Sequence, residues 1–493
     1  MKRCSWMRVL VLLLLVGFAA APAFAEMRLT TTGFIDNHVR YSDNLSGDDL
    51  TDDSDDAWRA RTRARIFFNV AANDFSKAVI GFEIDQVWGQ IPDSSTAGFD
   101  FGTDNIVVEV KWAYLDIEIP NTPVTLRAGG LPLQADRLKG SCLLLCMDVG
   151  GIDVEVAFSP QVVASIYFAN TQEDDILESG EDRLGDDYFG GVTLMTELLQ
   201  DLKANLLFAY QHLGGPDFES TAPATGSTSR LTSLDQTEEN RFWIGVEAEW
   251  ELGNLTISPT AIYGGGQREF SSGGDIDLST VLIDARVAYV IGPLTITGRF
   301  AYTPGNESDD DLGAGGDDIH FWQSIATDTV HRHVEWFEIF GFNIDTTSPS
   351  MFDQELSDNE GGGTDPRSLR NNGGFDQFGL IHGALRVDFK ATKQATLTGT
   401  VGFFSAAETV GPPSIGRGQT TEDTFNFTND DKYLGTELDV WVRYGLFKGT
   451  DVDVYFAYAF IGDALNLCTD ATCANTNSAE DVIALGTRII YRF

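Results

Sequence analysis

The chain ends in Val482-Ile-Ala-Leu-Gly-Thr-Arg-Ile-Ile-Tyr-Arg-Phe493, and the spacing of these side chains decides the fold. Ile483, Leu485, Ile489, Tyr491 and Phe493 share one parity, with Arg488 and Arg492 on the other. A period of two belongs to a β-strand, whose successive side chains point to opposite faces. One face is therefore apolar while the other carries guanidinium groups. The reading extends outward from this end. In 451–461, Val452, Val454, Phe456, Tyr458 and Phe460 oppose Asp451 and Asp453. In 433–447, Leu434, Leu438, Val440, Val442 and Tyr444 face away from Glu437, Asp439 and Arg443. In 241–252, Phe242, Ile244, Val246, Ala248, Trp250 and Leu252 alternate with Arg241, Glu247, Glu249 and Glu251. In 58–70, Trp58, Ala60, Thr62, Ala64, Ile66, Phe68 and Val70 form the outward set.

Alternation alone suits a soluble sandwich as well as a membrane barrel, but the connections separate the two. Short links at Asn73-Asp74, Pro120-Asn121-Thr122, Ser159-Pro160, Gly253-Asn254, Gly292-Pro293 and Lys448-Gly449 alternate with long ones. The long ones, near 44–56, 171–187, 214–238, 305–374, 405–431 and 464–479, are acidic and rich in glycine. Short turns at one rim and long loops at the other are the asymmetry of a transmembrane barrel. Trp58, Trp112, Tyr114, Trp250, Tyr289, Tyr302, Tyr444 and Tyr491 fall toward strand ends, where interfacial girdles sit. The predicted fold class is all-β, a transmembrane antiparallel up-and-down barrel. Eighteen strands are counted between residues 27 and 493, with sixteen as the alternative. A barrel of this size encloses a water-filled lumen unless loops fill it.

Residues 1–25 carry Lys2, Arg3 and Arg8, an apolar run from Val9 to Ala20, and Ala-Pro-Ala-Phe-Ala before Glu26, which reads as a cleaved signal peptide. The run is shorter than the ~20 apolar residues that a single anchor needs. Residues 26–493 then form one barrel. The net charge of −41 becomes −44 once the three basic residues of the leader are gone. So acidic a chain argues against nucleic acid as a partner, because phosphate binding needs cations. Four cysteines follow the leader, in two tight pairs, Cys142 with Cys146 and Cys468 with Cys473. In an exported, oxidising setting, local disulfides are the expectation.

The block Trp58-Arg-Ala-Arg-Thr-Arg-Ala-Arg65, the ending Val87-Trp-Gly89, and Lys111-Trp-Ala-Tyr-Leu-Asp116 followed by Val124-Thr-Leu-Arg-Ala-Gly129 resemble the first hairpins of Gram-negative porins, the alginate-export-like barrels among them. Terminal Phe493 on an apolar strand face resembles the signature by which outer-membrane barrels are recognised for assembly. The resemblance implies an outer-membrane location, contact with lipid and lipopolysaccharide, handling by the barrel-assembly machinery, and a homotrimer as one available state. It also implies that the loop near 131–149 folds inward to narrow the lumen. That segment is apolar for a loop yet contains Asp136, Arg137 and Lys139, which suits a sheltered position. A place on the rim or in a subunit interface is the alternative.

Arg59, Arg61, Arg63 and Arg65 repeat at a period of two and fall on one strand face. They are expected to line the lumen, since an arginine at the lipid midplane of a barrel costs about 2–4 kcal/mol. There they attract anionic groups, or neutralise Glu83, Asp85 and Glu109 on neighbouring strands, or both. Lys111 and Arg443 join the expected lining. The acidic loops, with Asp48 to Asp56, Asp174 to Asp187 and Glu307 to Asp318, could hold calcium loosely, although none has the spacing of a calcium-binding hand; no other cofactor is expected. His320, His331 and His333 lie among aromatic residues in the long connection 305–374, which could cover the pore. No catalytic motif of the hydrolase, metalloprotease or nucleotide-binding kinds occurs. The expectation is a non-enzymatic channel for small hydrophilic or charged solutes, the alternative a barrel that sheathes an electron-transfer conduit.

Overall fold

The computed structural model describes residues 27–43, 57–88, 108–138, 142–172, 187–213, 236–270, 273–307, 310, 312, 315–327, 336–340, 378–410, 431–468 and 476–493. The leader, most of the acidic loops, Lys139, His331, His333 and Cys473 lie outside them, as do the side chains of Arg59 and Asp85.

The period-two segments pair edge to edge in chain order. Strands β1 (Arg28–Asp43), β2 (Ala57–Asn73), β3 (Ser76–Val87), β4 (Glu109–Glu118), β5 (Val124–Gln134) and β6 (Leu145–Ser159) are followed by β7 (Val162–Gln172), β8 (Asp187–Leu199), β9 (Leu202–Leu213), β10 (Gln236–Leu252), β11 (Leu255–Phe270) and β12 (Asp275–Ile291). Strands β13 (Leu294–Thr303), β14 (Leu380–Lys390), β15 (Ala395–Ser405), β16 (Tyr433–Phe447), β17 (Thr450–Ile461) and β18 (Val482–Arg492) complete the wall. Every neighbour is antiparallel, and β18 returns to β1 from Phe34–Arg492 to Asp43–Ile483, so the count is eighteen and the barrel is closed. Closure pairs every edge, which a wall in lipid requires.

Burial is inverted relative to a soluble protein. On β10, Ile244 is 57% exposed while Arg241 and Glu247 are buried; on β17, Val454 is exposed and Asp453 buried. The apolar set faces outward, as lipid demands, and the charged set faces the lumen. Trp58, Trp250, Tyr289, Tyr444 and Tyr491 are exposed on the outside. Trp112 and Tyr114 do not join that girdle. A bulge at Lys111 shifts the phase of β4, so Trp112 turns inward to stack on Phe67 at 4.4 Å, and Tyr114 packs against a lumen cluster. Leu434, expected outside, is likewise buried inside, because the register shifts where Gly435 faces Phe404.

The lumen holds chain as well as side chains. The inward loop is shorter than 131–149, since Leu131–Val149 through Gln134–Cys146 still pair as strand. Its tip and residues 322–325 of the long connection form one apolar cluster with Tyr167, Phe189, Trp243 and Leu282 on the wall. A second stretch of that connection, Trp336 to Phe340, packs with Phe404, Leu434, Ala457 and Ala484. A third cluster joins Leu312, Ile319 and Phe321 to Phe270, Ile276 and Leu278. None of the three clusters takes a side chain from β1, β2 or β3.

Candidate channel interior

The wall of β1 to β3, outside these three clusters, is where the arginine-rich strand lies. Register sets His38 opposite Arg61, Asp36 opposite Arg63 and Phe34 opposite Arg65 on one side. On the other side Arg63 faces Asp85 and Arg65 faces Glu83. Arg61 and Arg63 are buried, whereas the Arg65 side chain keeps 26% exposure, pairs with Glu83 and lies over the Phe34 ring at 5.8 Å. Glu83 also stands 3.6 Å from Lys111, whose ammonium reaches Asp148 at 2.8 Å. The Trp112 indole N–H donates to that same Asp148 at 2.6 Å. Glu109 is exposed at the start of β4, opposite Glu83.

The stripe continues around the seam. Arg488 donates to Asp36 at 2.7 Å and stands 3.9 Å from Asp453, which accepts two bonds from Arg443 at 2.9 and 3.2 Å. Tyr455 crosses above Gly486 to meet His38 at 2.8 Å; a Cβ at Gly486 would lie 2.4 Å from its ring. Toward β7, Arg127 bridges Asp116 and Asp153 at 3.5 and 3.2 Å, and Arg137 spans Glu155 and Ser165 at 3.4 and 3.0 Å. Fixed cations thus alternate with acids along this side. The accessible ones are Arg65, Arg127, Arg137 and Arg443, with side-chain exposure between 20 and 39%.

The inward hairpin tip is pinned to the wall by polar groups. Asn205 donates to Ala135 O at 2.9 Å and to Glu247 at 2.7 Å, and the Leu143 N–H donates to Asp136 at 2.7 Å. Asp136 is buried, and burial together with the nearby Glu247 charge pushes its carboxyl up to about 7. Cys142 and Cys146 are joined in a disulfide at the tip. Cys468 lies in a two-residue pairing opposite Thr476.

Trp336 and its followers are pinned differently. The Trp336 ring sits 5.6 to 6.0 Å from the guanidinium groups of Arg286, Arg299 and Arg386. Glu437 accepts the N–H groups of Glu338, Ile339 and Phe340 at 2.9, 2.7 and 2.7 Å. The Trp441 indole donates to Glu338 at 2.9 Å.

Among solved structures, the Pseudomonas aeruginosa outer membrane protein OpdK is similar over 96% of this chain and 100% of its own, with 10% identity and a TM-score of 0.51. The fold is that of the outer-membrane porins. Its complex with vanillate gives the same coverage and identity with a TM-score of 0.50. Pseudomonas aeruginosa OccK2 (OpdF) matches over 96% of this chain and 99% of its own, with 9% identity and a TM-score of 0.50. At these identities the likeness is one of fold. No family model and no curated protein matches the chain. The porin fold, the apolar exterior and the closed wall together make this a membrane-spanning barrel of the Gram-negative outer-membrane type.

Sequence reasoning missed the residues that hold the porin-type lumen in shape. Asn205, Glu247, Glu437 and the Arg286, Arg299, Arg386 group are inward by parity, but their partners sit on inserted segments without a period. For Glu247 and Glu437 the available signal was an inward charge with no opposite charge directly across from it on either adjacent strand.

Proposed function

We propose that the protein is an outer-membrane channel for small hydrophilic solutes, narrowed by its own inward segments and biased toward solutes that carry a carboxylate. The observation that carries the proposal is the division of the lumen. Apolar insertions pack against β5 to β12 and β14 to β18, while Arg65 on β2, with Arg127, Arg137 and Arg443 to either side, keeps its guanidinium partly exposed in the lumen. An always-protonated guanidinium orients carboxylates bidentately, so a series of them suits stepwise passage of an anion. The OpdK barrel was solved with vanillate, a carboxylate of this class. A conduit sheath needs its lumen free for another protein, whereas two segments of this chain occupy it.

Reconstitution in planar bilayers tests the reading. Steady single-channel openings, and a lowered chloride current when vanillate is added, are expected. Absence of any steady open level in the refolded barrel would sink it.

A further inference from the structure

The hairpin between β5 and β6 organises more than its own tip. On the wall, β6 pairs with β7 only from Gly150–Asn170 downward. Beyond that point residues 145–149 keep β5 as a partner but have left β7. An edge freed in this way presents backbone groups that must find partners inside the lumen. Ala326 and Thr327 take the edge in parallel, opposite Leu145 and Cys146. Just before them the Ile325 N–H donates to Leu144 O at 3.1 Å, and the Trp322 indole to Leu143 O at 3.2 Å. The wall adds Trp243 to Gln323 O at 3.0 Å and Gln211 to Ile325 O at 3.3 Å.

The backbone dock of the second insertion is therefore Leu143–Cys146, the stretch that the Cys142–Cys146 disulfide brackets. Cys142 holds φ of 51°, a left-handed conformation that a residue with a Cβ keeps only when its surroundings fix it. We propose that this disulfide is a redox-sensitive clasp: it shapes the docking edge for residues 322–327, and its reduction loosens both inserted segments together and widens the channel. A dithiol supplies two electrons and two protons; the S–S bond breaks, Cys142 and Cys146 become thiols, and the reagent closes to its own disulfide. The widening rests on the channel reading above, but the clasp does not.

Hydrogen exchange on the refolded full chain, before and after dithiothreitol, reads the clasp without conduction. The amides of residues 322–327 should exchange about tenfold faster after reduction, with those of β8 unchanged. Cys142→Ser/Cys146→Ser should match the reduced protein and ignore the reagent; if that variant fails to fold, wild type reduced after folding supplies the comparison. Unchanged exchange with both thiols open to alkylation overturns the proposal. So does a response that persists in the double variant, which would belong to Cys468 or Cys473. Single-channel conductance should rise on reduction of wild type alone. Faster exchange without that rise removes the widening, and no conductance in either state removes the channel reading instead.

Discussion

Arg65 and Arg61 belong to one strand face, yet only Arg65 keeps appreciable contact with water. Parity in the sequence told which way these side chains point; burial depends on neighbours that parity does not name. Successive charges of the series, Arg61 with Arg63 and Arg63 with Arg65, still act together, because residues two apart on a strand lie about 6.6 Å apart, within the ~8 Å Debye length of physiological salt. Replacing Arg59, Arg61, Arg63 and Arg65 with Gln should move the reversal potential in a salt gradient toward cation preference in a barrel that still folds. An unmoved potential would place the four outside the ion path. At the hairpin tip the relevant variable is pH. Asp136 is held up to about 7 against an ordinary 3.8, so the folded protein keeps a proton that the unfolded chain has lost over that interval. The stabilisation is complete below about 3.8 and fades as pH rises through about 7. Asp136→Asn should therefore reduce the decline in the heat-modifiable transition between about pH 4 and 7. An equal decline in wild type and variant would assign it to other groups.

Strands were legible because their period survives any register, and eighteen of them followed from turns and alternation. Bulges were not. The Lys111 bulge reverses the expected side of Trp112, and the shift at Gly435 draws in Leu434, both through single extra residues that leave no mark in hydropathy. Cross-strand fits were equally hidden, and Gly486 is the clearest. It reads as a weak residue in a good strand, but it makes room for Tyr455 to reach His38. Gly486→Val should displace that ring and cost about 1–3 kcal/mol by overpacking, seen as a lower denaturant midpoint. Unaltered stability with the Tyr455–His38 contact intact would show that the seam can yield. The inserted stretch 336–340 depends on one carboxylate. Glu437→Ala leaves the Ile339 and Phe340 N–H groups without their acceptor, at about 1–3 kcal/mol for each, while the Glu338 N–H keeps Asp439 at 3.3 Å. The amides of Ile339 and Phe340 should lose protection while those of β15 keep it; retained protection would mean that the tryptophan contacts suffice.

Across the whole molecule, the first and last strands meet. The Phe493 N–H and C=O both bond to Gly33 at 3.0 Å, and its ring lies against that glycine. The C-terminal residue expected to serve as an assembly signal thus also closes the last rung of the seam. Deleting Phe493 should impair assembly more than Phe493→Ala, which keeps both backbone bonds. Equal defects would locate the whole effect in the aromatic side chain, and no defect in either would dismiss the signal. The wall, its inside and its outside were open to sequence reading at this scale. Which strands the long connection covers was not, because its apolar residues follow neither strand nor helix spacing.

That seam has a mechanical consequence. Opening it, or parting any other pair of strands, would strand rows of backbone N–H and C=O groups in hydrocarbon at several kcal/mol each. The cylinder therefore has no soft joint of its own, and its bore is a constant. Any variation in what passes through must come from the chain that enters the bore, held there by a handful of bonds that can each be broken without disturbing a single rung of the wall.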